Sequence, residues 1–274
     1  MTKVYHPKEY WENRFCNKLD LTTVGHLGLG YVYNHWLYKA RFNAAHRALR
    51  KLNLDVSGNS LIDIGVGSGA WVPFWQKCGI SKLVGLDITA SSTRILKNKY
   101  PEFEFIEGDI SSALPFKKNI TFDIATAFDI LFHITNDIFF AKAIANISKC
   151  VKKGGVVLIS DSFCRSPWGP FYHEYHRSYD TYIKELKINK LKAVHIEPIF
   201  ITMTKATCDS NSRYRRILDQ FTKNTLRIVN TLSSSNQTEI INHTIGCSLY
   251  LLDLIICQIV KTGPSLKILF AQKC

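Results

Sequence analysis

The stretch Leu61-Ile62-Asp63-Ile64-Gly65-Val66-Gly67-Ser68-Gly69-Ala70-Trp71 decides the fold. A short apolar run of strand character passes through three alternate glycines into a segment with helical spacing. Gly65, Gly67 and Gly69 let the backbone turn tightly and approach a ligand with no Cβ in the way. The same turn aims backbone N–H groups from a helix N-terminus, where negative charge is favoured. Taken alone, the stretch also fits the dinucleotide pattern GxGxxA through Gly65, Gly67 and Ala70, or an ordinary tight turn.

Working outward, apolar runs alternate with helix-like segments. Strands are expected at Ser60–Gly65, Leu83–Asp87, Glu104–Glu107, Phe122–Ala127 and Val156–Asp161, with helices at Ala70–Cys78, Ser91–Lys99 and Asp137–Val151. Strands separated by helices of this length imply right-handed crossovers and a mostly parallel sheet. The strands are continuously apolar, as they must be if helices cover both faces. Further on, a helix is expected near Tyr179–Leu186 and strands near Ala193–Met203 and Ser265–Phe270. Between those last strands, residues 208–262 read as a helical insertion, and Tyr31–Leu52 is the clearest helix of the N-terminal fifty residues. The expected organisation is an N-terminal helical lid (1–58), a core (59–206), a helical cap (207–263) and a last core strand (264–274).

Two acids narrow the ligand. Asp87 ends the second strand, 22 residues after Gly65, where a carboxylate can accept both ribose hydroxyls of a nucleoside. Asp109, in Phe105-Ile106-Glu107-Gly108-Asp109-Ile110, follows the third strand, placed for an adenine amino group. Either acid alone is as well read as a helix cap or a solvated loop charge.

Together, IDIGVGSG, VGLDIT, IEGDI, FDIATAFDILFHI and VKKGGVVLISD resemble the successive motifs of class I S-adenosylmethionine-dependent methyltransferases over roughly residues 59–161. The likeness to bacterial small-molecule and glycan methyltransferases is looser. The resemblance implies a doubly wound, Rossmann-like α/β fold: seven strands, mostly parallel, with an antiparallel last strand that suits Ser265–Phe270. It implies S-adenosylmethionine as cofactor and S-adenosylhomocysteine as product. Carried over residue by residue, Asp63, Gly65, Gly67 and Gly69 would hold the methionine part, and Asp87 with Ile88 the ribose. Asp109 and Ile110 would flank the adenine, and Phe128 would lie beside the sulfonium. Lys153-Gly154-Gly155 would turn into the fifth strand. An NAD enzyme has no required counterpart for VKKGG or GDI.

Methyl transfer needs an aligned nucleophile, exclusion of water and, for a hydroxyl, removal of a proton, but no metal. His133, just after the fourth strand, is the first candidate base, with packing or helix capping as its alternative. Asp129 would orient the acceptor or a histidine, or merely cap. Pro167–Tyr182 carries six aromatic rings with His173, His176 and Arg177, a good wall for a flat or sugar-like acceptor, and His176 is a further catalytic candidate. Phe132, with Trp36 and Tyr38 on the N-terminal lid, completes the expected acceptor site. Arg41 is placed for the cofactor carboxylate, with a surface arginine as the blander reading.

Composition bounds the partners. The chain has 274 residues, 46% hydrophobic, enough for a real core and against disorder. Net charge is +13, of which residues 1–60 and 205–274 supply +5 each. No dense basic block accompanies it, so a small-molecule or glycan acceptor is favoured over nucleic acid, and a homodimer stays open. The strand-four sequence Thr126-Ala127-Phe128-Asp129 lacks the NPPY type that handles planar base amines. Residues 246–260 read as too short for a membrane span and carry Asp253. Eight cysteines without CxxC spacing, and no signal-like N-terminus, lead us to expect reduced thiols in a cytoplasmic protein.

Overall fold

A computed structural model describes residues 4–15, 18–116, 120–204, 213–232, 239–260 and 265–274. Three N-terminal helices, α1 (Pro7–Phe15), α2 (Leu21–Val24) and α3 (Gly30–Lys51), precede the core. There follow β1 (Ser60–Ile64), α4 (Val72–Lys77), β2 (Lys82–Asp87), α5 (Ala90–Lys99), β3 (Glu104–Glu107) and β4 (Phe122–Phe128). Then come α6 (Asp137–Cys150), β5 (Val151–Asp161), α7 (Tyr179–Ile188) and β6 (Leu191–Pro198). The chain ends with α8 (Arg213–Leu232), α9 (Glu239–Ile259) and β7 (Lys267–Lys273).

The seven strands form one sheet in the order β3-β2-β1-β4-β5-β7-β6. The first five are parallel, while β7 runs antiparallel to both β5 and β6. The order reverses between β1 and β4, and a ligand crevice opens at such a switch point beyond the carboxyl ends of the strands. Alternation across the sheet builds two cores. Leu61, Leu83, Ile124, Leu158 and Phe270 face α3, α4 and α9, whereas Ile62, Val84, Ala125, Val157 and Leu269 face α6 and α7.

Three expectations needed correction. β5 starts at Val151 rather than Val156, because Lys153-Gly154-Gly155 lies within the strand at a register shift opposite Phe122–Ile124. β6 stops at Pro198 rather than Met203, since Ile201 and Thr202 turn their N–H groups to the Asp253 carboxylate of α9 at 3.0–3.1 Å. The segment read as too short for a span is part of a 21-residue helix, Glu239–Ile259, long and apolar enough to cross a membrane. Its Asp253 is nevertheless buried in the protein, and burial pushes that carboxyl up to about 6.

Among the described residues, none of the late insertion lines the crevice. α9 packs along α3, where Gly246 lets the Trp36 ring approach so closely that a Cβ would sit 2.5 Å from it. Expected borders at 206/207 and 263/264 lie outside the described residues.

Candidate functional site

A cavity of about 480 Å³ opens beyond the carboxyl ends of β1, β2 and β4. Gly65 and Gly67 form its floor, while the expected Gly69 is not among the lining residues; their φ of 71°, 52° and 71° lie in the left-handed region that favours glycine. At Gly65 a Cβ would also stand 2.1 Å from Ile130 Cδ1, so that position is closed twice over. The Gly67 amide donates to Asp87 Oδ2 at 2.9 Å, while Thr89 donates to Asp87 Oδ1 through its amide and hydroxyl at 3.0 and 2.7 Å. Asp87 thus braces the loop and still lines the cavity. Its burial raises the carboxyl above its ordinary value.

Asp63 sits beneath the loop and, like Arg41, is not among the cavity-lining residues. Oδ1 accepts from the Thr126 hydroxyl at 2.6 Å, and Oδ2 is buried without a partner. Burial, against the Thr126 bond and with Asp87 nearby, pushes its carboxyl up to about 7. An orphaned carboxylate oxygen under a glycine loop suits a ligand that brings positive charge.

Ile88, Asp109, Ile110 and Phe128 all line the same cavity. Asp109 has much of its capacity taken, accepting from Ser111 N and Oγ at 2.8 and 2.7 Å and from Ser112 Oγ at 3.2 Å. Phe128 stacks on Trp71 at 4.1 Å, fixing both rings. The far wall comes from α1, which contributes Trp11 and Phe15, one helical turn apart on one face. Glu12 pins α1 to the start of α5, accepting from the Ser91 amide at 3.2 Å and hydroxyl at 2.8 Å, and Lys8 pairs with Glu107 at 2.6 Å. Trp11, Phe15 and Ser111 are cavity residues absent from the sequence-derived site; the i, i+4 pairing of Trp11 with Phe15 was the available signal.

His133 lines the cavity beside Trp11, whose ring meets it edge-on at 4.9 Å. Its Nδ1 lies 2.8 Å from the His173 carbonyl, so Nδ1 carries the proton and donates, leaving Nε2 as the acceptor. Desolvation drives its pKa down to about 3. The expectation of a base poised near neutrality therefore needs revision: His133 is neutral, as expected, but weakly basic.

Asp129 also lines the cavity, with a left-handed backbone (φ 56°). Oδ2 accepts from Arg41 Nε at 2.8 Å and Oδ1 from Ser160 Oγ at 2.6 Å. Arg41 is buried against Tyr38 and Phe200 and is not among the cavity-lining residues. Arg41 thus gives its Nε to Asp129, while its Nη1 is buried without a partner. Tyr38 does line the cavity, and burial raises its phenol above the usual range.

Other expected site residues lie behind the wall. Trp36 fills the α3–α9 seam against His243 and Tyr250. Phe132 stacks on His176 at 4.6 Å, and neither lines the cavity. His176 is buried, with Nδ1 2.8 Å from Asp161 Oδ1. Arg177 is buried too, held to Asp137 at 2.9 Å and sandwiched by Phe140 and Tyr175. His173 stacks on His133 and Tyr10 and reaches the site only through its carbonyl. The aromatic segment 167–182 is therefore a second layer: Tyr175 N donates to Phe132 O, tying it to the turn that carries His133.

Residues 62–159 match the family model described as a methyltransferase domain. No curated protein sequence matches the chain. Among solved structures, the (4+2)-cyclase SpnF is 16% identical at a TM-score of 0.54, covering 85% of this chain and 80% of its own. A protein from Galdieria sulphuraria, assigned as a sarcosine dimethylglycine methyltransferase, is 13% identical at 0.53, covering 85% of both chains. A chain of the complex between the Haloferax volcanii activator Trm112 and its methyltransferase is 13% identical at 0.51, covering 88% of this chain and 95% of that one. At such identities these likenesses speak for the fold.

Proposed function

We propose that this chain, whose residues 62–159 match a methyltransferase domain, is a class I S-adenosylmethionine-dependent methyltransferase that methylates a hydroxyl of a small molecule or sugar. Asp87 carries the reading: it braces Gly67 at the mouth of a cavity that α1 roofs, and keeps a face toward the ligand. When bound, S-adenosylmethionine supplies an electrophilic methyl group on a sulfonium. The residues present fit it. Asp87 and Ile88 would take the ribose, Asp109 and Ile110 the adenine end, and the glycine loop with the unpartnered Asp63 oxygen the charged methionine end.

Phe128, Tyr38, Trp11 and Phe15 supply the apolar enclosure that keeps water from the transfer. His133 Nε2 accepts a hydrogen bond from the incoming hydroxyl and so aims its lone pair at the methyl. A hydroxyl oxygen becomes strongly acidic as its new bond to carbon forms. Even a base weakened to a pKa of about 3 then takes its proton, late in the transfer. Asp129 has Arg41 and Ser160 on its two oxygens, so its charge is matched and the acceptor meets it as a neutral neighbour. The absent NPPY motif speaks against a base amine of nucleic acid.

The test is transfer of labelled methyl to pooled acceptors, sorted by hydroxyl, amine and macromolecule. Acid-stable, base-stable label on alcohol or sugar pools is the expected result. Label confined to amines, RNA or protein, or cofactor binding with no transfer to any pool, would overturn the reading.

A further inference from the structure

The face of the molecule formed by α3 and α9 has a charge and hydropathy pattern that methyl transfer does not use. α9 turns a minority of its apolar residues inward: 28% of its most apolar window is buried. Leu251, Ile255 and Ile259 are 54%, 64% and 76% exposed, and at spacings of four they share one outward stripe. The side facing α3 is held by Trp36, Gly246, Leu249 and the buried Asp253. An exposed stripe on a helix fixed at this depth is a surface, not an unpacked core.

Cations border it. A groove between α3 and α9 is lined by Asn43, Arg47, Arg50, Lys51, Leu254 and Gln258. Leu254 and Gln258 lie one helical turn from Leu251 and Ile255, so groove and apolar stripe are continuous. Arg47 and Lys51 share one buried anion, Glu197, at 2.8 and 2.7 Å, which leaves the groove with surplus positive charge. Arg50 is exposed and its guanidinium has no hydrogen-bond partner among the described residues. Lys39, one ridge earlier, lies over the Trp36 and Tyr250 rings at 4.4 and 5.1 Å. α8 repeats the pattern, with Ile217, Phe221 and Ile228 exposed on one face and Arg216, Lys223 and Arg227 beside them.

We propose that the α3–α9 face, with α8 beside it, docks the protein on an anionic lipid surface. Leu251, Ile255 and Ile259 enter the headgroup boundary, and Arg50 and Lys51 engage lipid phosphates, while Arg47 is held by Glu197 and the Pro198 carbonyl. Apolar insertion joined to basic flanks is the pattern of a helix lying in the interface plane. The net charge of +13 adds long-range attraction to such a surface. Asp253, tied to Ile201 and Thr202, keeps α9 on the protein, so the helix lies on the membrane and does not span it.

The full chain is tested by cosedimentation with vesicles of phosphatidylcholine alone and of phosphatidylcholine with phosphatidylglycerol. Binding should be strong only to the anionic vesicles and should weaken as salt is raised. Arg50→Gln should lower it about fivefold, the equivalent of about 1 kcal/mol for one interfacial cation. Ile255→Glu with Ile259→Glu should lower it about tenfold or more. S-adenosylmethionine affinity should not change in any variant, which confirms folding. If the double variant fails that control, Leu251→Ser and Arg50→Gln carry the test. Equal binding to both vesicle types, or none, overturns the proposal. So does a lipid-free dimer, seen by sedimentation, that Ile255→Glu dissociates, for the face would then belong to a second copy.

Discussion

Replacing Asp63 with asparagine isolates the charge beneath the glycine loop. The shape is nearly kept and the Thr126 hydroxyl still finds an acceptor, but the side chain no longer ionises. In the free protein the Asp63 carboxyl is pushed up to about 7 by burial. If a cationic ligand pairs with the orphaned Oδ2, Asp63 is ionised in the complex, and binding must release its proton wherever it was held. The affinity is then fully present above pH 7 and lost as the pH falls through 7. Ionising the group at pH 6 costs about 1.4 kcal/mol, so S-adenosylmethionine should bind about tenfold more weakly at pH 6 than at pH 8. Asparagine should bind weakly at both and show no slope. The stability of the unliganded protein has the opposite sign: with a folded pKa raised above the unfolded 3.8, the contribution is lost as pH rises through 7. The thermal shift produced by the cofactor should therefore grow with pH in the native chain alone. Isothermal titration with S-adenosylmethionine and S-adenosylhomocysteine assigns the cation, since the second lacks the sulfonium but keeps the ammonium. A flat wild-type profile, or an equal slope in the asparagine variant, refutes the argument.

Three further outcomes follow from the same geometry. Asp87→Ala should weaken both adenosyl ligands by about 1.5–3 kcal/mol in calorimetry, through the lost ribose contact and the loosened Gly67 amide. His133→Ala should slow turnover about 10²–10⁴-fold with cofactor affinity nearly intact, and His133→Gln should recover part of it by restoring an acceptor. At saturating S-adenosylmethionine, where the Asp63 effect on binding no longer enters, the wild-type rate should show no inflection near pH 6.5, because His133 already holds its neutral form down to about 3. Hydrogen exchange in residues 7–15 should slow when cofactor and acceptor bind, since Trp11 and Phe15 line the cavity, whereas 213–232 and 239–259, which do not, should be unchanged.

The parallel core was legible because its signals are local. Continuous apolar strands, a glycine turn and acids at consecutive strand ends all report on residues close in sequence, and Asp87, Ile88, Asp109, Ile110 and Phe128 do line one cavity. β6 was misjudged at its end because the residue that takes its N–H groups, Asp253, lies about fifty positions away. Trp36 is an instance of the same limit. An aromatic on an N-terminal helix serves equally for a ligand wall or a helix seam, and the seam was decided by Gly246, a residue whose lack of side chain makes room for the ring.

Chemistry was less legible than position, because basicity is a property of surroundings rather than of residue type. His133 was correctly placed beside the cavity, yet its strength as a base depends on desolvation and on which nitrogen the His173 carbonyl claims. Arg41 and Asp129 were each read as facing a ligand; a 2.8 Å bond joins them, and of the two only Asp129 lines the cavity. A buried arginine opposite a carboxylate at 21% side-chain exposure is costly to separate, since breaking it would strand a charge inside the protein. That cost holds Asp129 in its left-handed conformation, with its amide on Ser160 Oγ at 2.7 Å, and the turn following β4 is fixed there before His133 is reached. The pair therefore belongs to the scaffold that sets the direction of the His133 ring, with Arg41 Nε committed to Asp129 and Nη1 buried without a partner.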